Sequence, residues 1–156
     1  MLKGKNILLR NLKQSDIDFL MSIENNISLW EHGSERKIYT KQELVSYIKN
    51  SHIPFFEARQ YRFVIDYKNF PIGFIDLFDY FDNQASVGII IDKNYQNKGF
   101  GKEALILLSN YSLNVLKLKK LQCCIQKNNY KSNRLFLSAS YKLVKEEKNM
   151  NFYIFV

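Results

Sequence analysis

Val87-Gly88-Ile89-Ile90-Ile91-Asp92-Lys93-Asn94-Tyr95-Gln96-Asn97-Lys98-Gly99-Phe100-Gly101-Lys102-Glu103-Ala104 is the stretch that decides the fold. It reads as a buried strand, a short polar loop, two glycines one residue apart, and a long helix with apolar periodicity. Gly99 and Gly101 let the backbone approach a ligand with no Cβ in the way. A helix starting there offers N–H groups without intrahelical partners and the positive end of its dipole, which suits a phosphate or pyrophosphate. Lys98 and Lys102 add side-chain charge at the same place.

Two known phosphate motifs are tested first. A P-loop needs an earlier glycine before its Gly-Lys pair and Ser or Thr after it. Gln96 stands at the first position and Glu103 at the last, so the P-loop fails. Gly99-Phe100-Gly101-Lys102-Glu103-Ala104 does fit G-x-G-x-x-A, the dinucleotide fingerprint. That fingerprint also wants a tight strand-to-helix turn and an acid about twenty residues further on. The loop from Asp92 to Lys98 is too long for the turn, and Leu121 and Gln122 supply no acid. A nicotinamide-dependent enzyme therefore ranks below the next reading.

Gln96-x-x-Gly99-x-Gly101 resembles motif A of the GNAT family of N-acetyltransferases, which grips the pyrophosphate of acetyl-CoA. The run from Ile125 to Tyr141, with Asn129, Ser132, Leu135 and Phe136 in order, resembles the second half of that fold. Ser140 and Tyr141 stand where the family closes on Gly-Phe. Arg62-Phe63-Val64-Ile65 and Pro71-Ile72-Gly73-Phe74-Ile75-Asp76-Leu77 resemble the central strands of its ribosomal-protein and polyamine acetyltransferase branch. The resemblance implies an α/β (α+β) fold: one domain over 1–156, a mixed central sheet splayed between its fourth and fifth strands, and flanking helices.

Composition agrees with a single packed domain. The chain has 156 residues, 46% of them hydrophobic, which is ample for one core. No apolar run approaches a membrane span and the start reads straight into structure, so a cytoplasmic protein without membrane partners is expected. Cys123 and Cys124 are adjacent in a strand-like run and point to opposite faces; two buried thiols fit a reducing compartment. The net charge of +8 suits a polyanion. The lysines are scattered, however, and no nucleic-acid motif accompanies them, so nucleic acid is not expected as a partner. No His or Cys pair has metal-ligand spacing.

Along the chain, Ile7 to Leu12 reads as a strand, and Ser15, with Asp18 as a short capping box, begins a helix. Glu24 to Tyr39 is irregular. Thr40-Lys41-Gln42-Glu43 is a full capping box for a helix to about Asn50, followed by a loop from Ser51 to Gln60. Strands follow at Tyr61–Asp66, Ile72–Tyr80 and Ala85–Asp92, with a turn over residues 67–71. The helix from Phe100 to about Leu116 turns Ala104, Leu105, Leu108, Tyr111 and Val115 inward. Leu121–Gln126 is a strand, Lys131–Ser138 a short helix, and Tyr141–Glu146 and Phe152–Val156 the last strands.

By resemblance, acetyl-CoA lies between the strand ending at Ile91 and the one containing Cys123 to Ile125. Its pantetheine arm runs beside Ile89, Ile90 and Ile91, with the thioester carbonyl near an N–H at Ile90. Gln96, Asn97, Lys98, Gly99, Phe100, Gly101 and Lys102 hold the pyrophosphate, and Asn129, Lys131 and Ser132 meet the cofactor from the later helix. The acceptor is a small-molecule or peptide amine that attacks directly. Its proton needs a receiver, because alkylamines are mostly protonated at neutral pH. The family's usual acid, a tyrosine, aligns with Phe136, and its frequent glutamate aligns with Ser86, so no catalytic residue is named.

Candidate acceptor residues are Trp30, Glu31, Asp76 and Asp79, with Glu24, Glu35 and Glu57 as further carboxylates and His32 a surface residue rather than a base. Tyr80 and Phe81 at the strand turn are compatible with a homodimer. Beside the enzyme stands a second reading: a non-catalytic acyl-CoA-binding module that kept the cofactor corner and lost proton transfer.

Overall fold

A computed structural model describes residues 1–26 and 38–156. Trp30 and Glu31, with His32 and Glu35, lie outside the described residues. The strands are β1 (Leu2–Lys3), β2 (Leu8–Asn11), β3 (Tyr61–Tyr67), β4 (Phe70–Phe81), β5 (Gln84–Ile91), β6 (Lys120–Gln126), β7 (Lys142–Glu147) and β8 (Met150–Phe155). The helices are α1 (Ile17–Glu24), α2 (Lys41–Asn50), α3 (Phe55–Ala58), α4 (Phe100–Asn114) and α5 (Tyr130–Ser138). The strands form one sheet in the order β1-β2-β3-β4-β5-β6-β8-β7. The β5–β6 seam is parallel, with α4 as its crossover, and the other seams are antiparallel.

Helices cover both faces. Against one face, α4 and α5 bury Ala104, Leu105, Leu108 and Phe136 on Ile65, Ile75, Val87 and Leu121. Against the other, α1 and α2 bury Leu20, Ile23, Leu44 and Ile48 on Val64 and Phe74. With both faces covered, β3 and β4 carry unbroken apolar runs rather than alternation. The expected stripe of α4 needs one change. Val115 is exposed at the helix end, while Ser109 and Ser112 are fully buried. Their hydroxyls are satisfied by Tyr141 OH and the Leu108 carbonyl, each at 2.7 Å.

Local chemistry explains other differences. The Thr40–Glu43 capping box forms in both directions, at 3.1 and 3.2 Å. The expected Ser15–Asp18 box is not the one that forms at α1. Asp16 instead accepts from the Lys13 N–H at 2.8 Å, and both its oxygens take the Arg10 guanidinium at 2.9 Å. Arg10 also donates to Asp66 at 2.7 Å, and all three residues are buried. Burial opposes the Asp16 charge, yet the Arg10 hydrogen bonds and the Lys13 N–H outweigh it, so the carboxyl sits below its ordinary value.

The turn between β3 and β4 is tighter than expected. Lys68 and Asn69 both have positive φ, the signature of a two-residue hairpin turn, and the strand takes in Pro71. Pro71 lies opposite Asp66, beside a bulge, where a missing N–H costs least. The expected loop from Ser51 to Gln60 contains α3, begun by Pro54 and closed by Arg59 at φ 59°. Of the two cysteines, Cys123 is buried and Cys124 exposed, which corrects the expectation of two buried thiols. Among the described residues no helix is long and apolar enough to cross a membrane.

Candidate functional site

β5 and β6 pair only through Gln84–Lys120, Ala85–Leu121 and Ser86–Gln122. Beyond Ser86 the two strands part, while β5 keeps its ladder with β4 as far as Ile91–Gly73. The phase of that ladder is set by the Asp92 N–H, which donates to the Ile72 carbonyl at 2.8 Å. In an antiparallel pair this makes Gly73–Ile91 and Ile75–Ile89 non-hydrogen-bonded pairs. Ile89 and Ile91 therefore turn their backbone groups away from β4 and into the gap, whereas those of Ile90 are spent on Phe74. The outward N–H groups belong to the neighbours of Ile90, which corrects the expected position by one residue. Gly73 permits the close approach of β4 here: a Cβ on it would sit 2.3 Å from the Ile90 carbonyl oxygen.

The gap opens into a cleft of about 870 Å³. Ile89, Ile90, Ile91, Gln96, Asn97, Gly99, Gly101, Lys102, Asn129, Lys131 and Ser132 all line it. Lys98 and Phe100 do not: Lys98 lies over the Tyr95 ring, and the Phe100 ring is buried 4.6 Å from Tyr67. Phe100 thus offers the cleft its backbone alone. At the mouth, Gly99 adopts φ 87° and, lacking a side chain, leaves the first turn of α4 uncapped. The two glycines serve different ends. A Cβ at Gly99 would meet nothing within 4 Å, so its requirement is conformational. A Cβ at Gly101 would sit 3.2 Å from Ile91 Cδ1 and from a Leu135 methyl, so its requirement is packing of α4 on β5 and α5.

Side chains brace this mouth. Gln96 donates to the Ile91 carbonyl at 2.9 Å and accepts from Lys131 Nζ at 3.4 Å, tying the end of β5 to α5. Asn129 caps α5 by accepting from the Ser132 N–H at 3.3 Å. One turn on, buried Asn133 accepts from Tyr153 OH at 2.6 Å and from Asn151 at 2.9 Å, and donates to two carbonyls. At the other side, Glu103 on α4 accepts from the backbone N–H groups of Asn6 and Ile7 and from the Asn6 amide, each at 2.9 Å.

Four cations, Lys93, Lys102, Lys131 and Arg134, line the cleft against one carboxylate, Asp92, among the described residues. That balance favours an anion. Lys93 and Arg134 were missed by sequence reading. Arg134 follows Lys131 by three positions on α5, a spacing that puts both on one helix face and was available as a signal.

On the sheet face covered by α1 and α2, Arg62 grips Asp76 with two hydrogen bonds of 2.7 and 2.8 Å and Glu24 with one of 2.6 Å. The guanidinium lies 4.9 Å from the Phe74 ring centroid and 5.6 Å from that of Tyr47. Burial would lower its pKa, but the two carboxylates raise it well above the ordinary value. Arg62 and Asp76, with Tyr47, Asn50, Gln60 and Phe78, line a second pocket of about 180 Å³. Asp76 lies opposite Gly88 on β5, two residues past the fork. Asp79 does not join this group; it is exposed, with φ 51°, in the irregular stretch between Phe78 and Phe81. Phe136 is buried, its ring 5.0 Å from Tyr141 and 6.5 Å from Tyr153, in the core beneath α5. Ser86 sits at the fork itself.

The comparisons with known proteins agree with this geometry. Residues 6–142 match the acetyltransferase (GNAT) domain model. The chain is 27% identical over 139 residues to a spermidine N(1)-acetyltransferase of Escherichia coli K12, covering 88% of this chain and 73% of that protein. The spermidine N-acetyltransferase of Vibrio cholerae, solved with CoA and spermine, superposes with a TM-score of 0.81 at 22% identity, over 97% and 94% of the two chains. A ribosomal L7/L12 α-N-protein acetyltransferase, solved with coenzyme A, superposes with a TM-score of 0.86 at 15% identity, over 98% and 95%. The chain belongs to the GNAT acetyltransferase family, acetyl-CoA-dependent enzymes that acetylate amines.

Proposed function

We propose that the forked cleft holds acetyl-CoA and that a primary amine reaches it from the sheet face carrying Arg62 and Asp76. The observation that carries this reading is the early end of β5–β6 pairing, with an uncapped α4 mouth at the open end of the gap. The Ile89 and Ile91 backbone groups are strand-edge donors and acceptors with no β6 partner, and an amide chain lying in the gap would satisfy them. The N–H groups of Gly99, Phe100, Gly101 and Lys102 suit a pyrophosphate, with Lys102, Lys131 and Arg134 adding charge. Asn129 and Ser132 face the same cleft, while Gln96 acts as a brace rather than a ligand. When bound, acetyl-CoA supplies the thioester that the amine attacks. Ile89 then presents a backbone N–H to the thioester oxygen, a contact that strengthens as charge develops there.

We place the protein in the cytoplasm, where Cys123 and Cys124 remain thiols. The related spermidine enzymes and the ribosomal-protein enzyme bound the acceptor to an amine of a polyamine or a polypeptide. The exposed Phe81 ring remains our candidate for contact between two copies. The test is calorimetric titration of CoA, followed by thiol release with acetyl-CoA over a panel of polyamines, amino acids, aminoglycosides and N-terminal peptides. Micromolar CoA binding with turnover on a member of the panel is the expected result. CoA binding without turnover selects the non-catalytic module, and no CoA binding removes the reading altogether.

A further inference from the structure

We propose that the acceptor is the α-amine of a peptide or protein N-terminus, a low-pKa amine that enters already neutral, rather than a polyamine. This rests on the acetyltransferase reading and narrows it. Three positive observations converge. Both Asp76 oxygens are held by the Arg62 fork, and Glu24 is bonded to the same guanidinium, so the carboxylates nearest the fork are engaged with a fixed cation. Phe136, at the position of the family's acid, is a core ring without a proton. The carboxylate that lines the large cleft, Asp92, sits at the Lys93 end and accepts from the Asn94 N–H. The described residues thus give the amine no ready proton acceptor at the fork.

Chemistry then selects the substrate. An α-amine titrates near 7.7 and is about one-third neutral at pH 7.4, whereas an alkylamine near 10.4 is about one-thousandth neutral, a difference of roughly 300-fold. In the transfer the amine nitrogen forms the new C–N bond and the C–S bond breaks. The thiolate leaves and takes a proton from solvent, while the nitrogen gives its surplus proton to water. An enzyme short of a base loses little with the first amine and much with the second. The pocket walls agree. Asn50, Gln60 and Ser51 present amide and hydroxyl groups suited to a peptide backbone, with Ile53, Leu77 and Phe78 for a side chain. Its one carboxylate, Asp76, is already compensated by Arg62, which disfavours a polycation.

The experiment compares spermidine with a short peptide of free N-terminus on the CoA-competent protein. At pH 7.4 the peptide should exceed spermidine in kcat/KM by a hundredfold or more. Its kcat/KM should rise to a plateau near pH 8, while that of spermidine climbs tenfold per pH unit to 9.5. Titrating the peptide into CoA-saturated protein, in buffers of different ionisation enthalpy, should count about 0.7 proton released at pH 7.4, the protonated fraction of the free amine. Glu31→Gln and His32→Ala should leave the peptide's pH profile in place. Spermidine within tenfold of the peptide overturns the proposal. So does a profile plateau near pH 6, a profile that moves in either variant, or zero proton release. Retained CoA binding with no turnover on either acceptor overturns it too, whereas lost CoA binding would instead sink the acetyltransferase site itself.

Discussion

Restoring a tyrosine hydroxyl at position 136 looks like the obvious way to improve this enzyme, and the packing forecasts the opposite. In Phe136→Tyr the new oxygen starts inside the core, because the ring is 3% exposed and stands edge-on to Tyr141. The neighbouring hydroxyls are committed: Tyr141 OH to Ser109, and Tyr153 OH to Asn133. A buried hydroxyl without a partner costs about 1–3 kcal/mol. For a domain of this size each kcal/mol moves Tm by roughly 2–4 °C, so the melt should fall by about 2–12 °C. Catalysis should not gain. Circular dichroism melts with and without CoA, beside thiol-release kinetics on the preferred amine, read both quantities. A tenfold or larger rise in kcat at unchanged Tm would show that the ring edge reaches the thioester and that the packing argument is mistaken.

Two further outcomes follow from other contacts. Arg10→Met strands Asp16 and Asp66, whose side chains are 3% and 10% exposed, and should cost about 3–5 kcal/mol by urea titration at pH 7. Asp16 has a lowered folded-state pKa, so its contribution is present above the unfolded value near 3.9 and is lost as pH falls through the folded value. The gap between wild type and Arg10→Met should therefore narrow below about pH 4; a gap that stays constant to pH 2 refutes the assignment. Gly99→Ala meets no steric obstacle but must hold φ 87°, so it should cost about 1–2 kcal/mol and weaken CoA by calorimetry, with Gly99→Asn milder.

The sequence made the ligand corner legible because its signals are local. Two glycines, a helix start and a preceding apolar strand lie within one short run, and the structure brings them to one cleft. The bracing contacts were not legible for a physical reason. Arg62 to Glu24, Glu103 to Asn6 and Asn133 to Tyr153 join residues far apart in the chain, and no periodicity announces such a pair. Gln96 illustrates the difference. Its position was read correctly, but its amide turns back to the Ile91 carbonyl, which spacing alone does not reveal. Position 101 teaches the same lesson. Its missing side chain reads as room for a phosphate, whereas Ile91 and Leu135 occupy that space. Short elements, such as α3 and β1, fell below any periodic signal.

Glu103 once counted only as the residue that spoils a P-loop, yet it fastens the first hairpin to the opening turn of α4. A Cβ on Gly4 would fall 2.3 Å from its carboxylate oxygen, so the clasp tolerates almost nothing between them. The practical result concerns handling of the protein. A purification tag fused ahead of Leu2 would tug on the same helical turn that is meant to receive the cofactor, whereas one placed behind Val156, an exposed residue, would not. Affinities measured on the two fusions should differ, and the tail-tagged form is the one to trust.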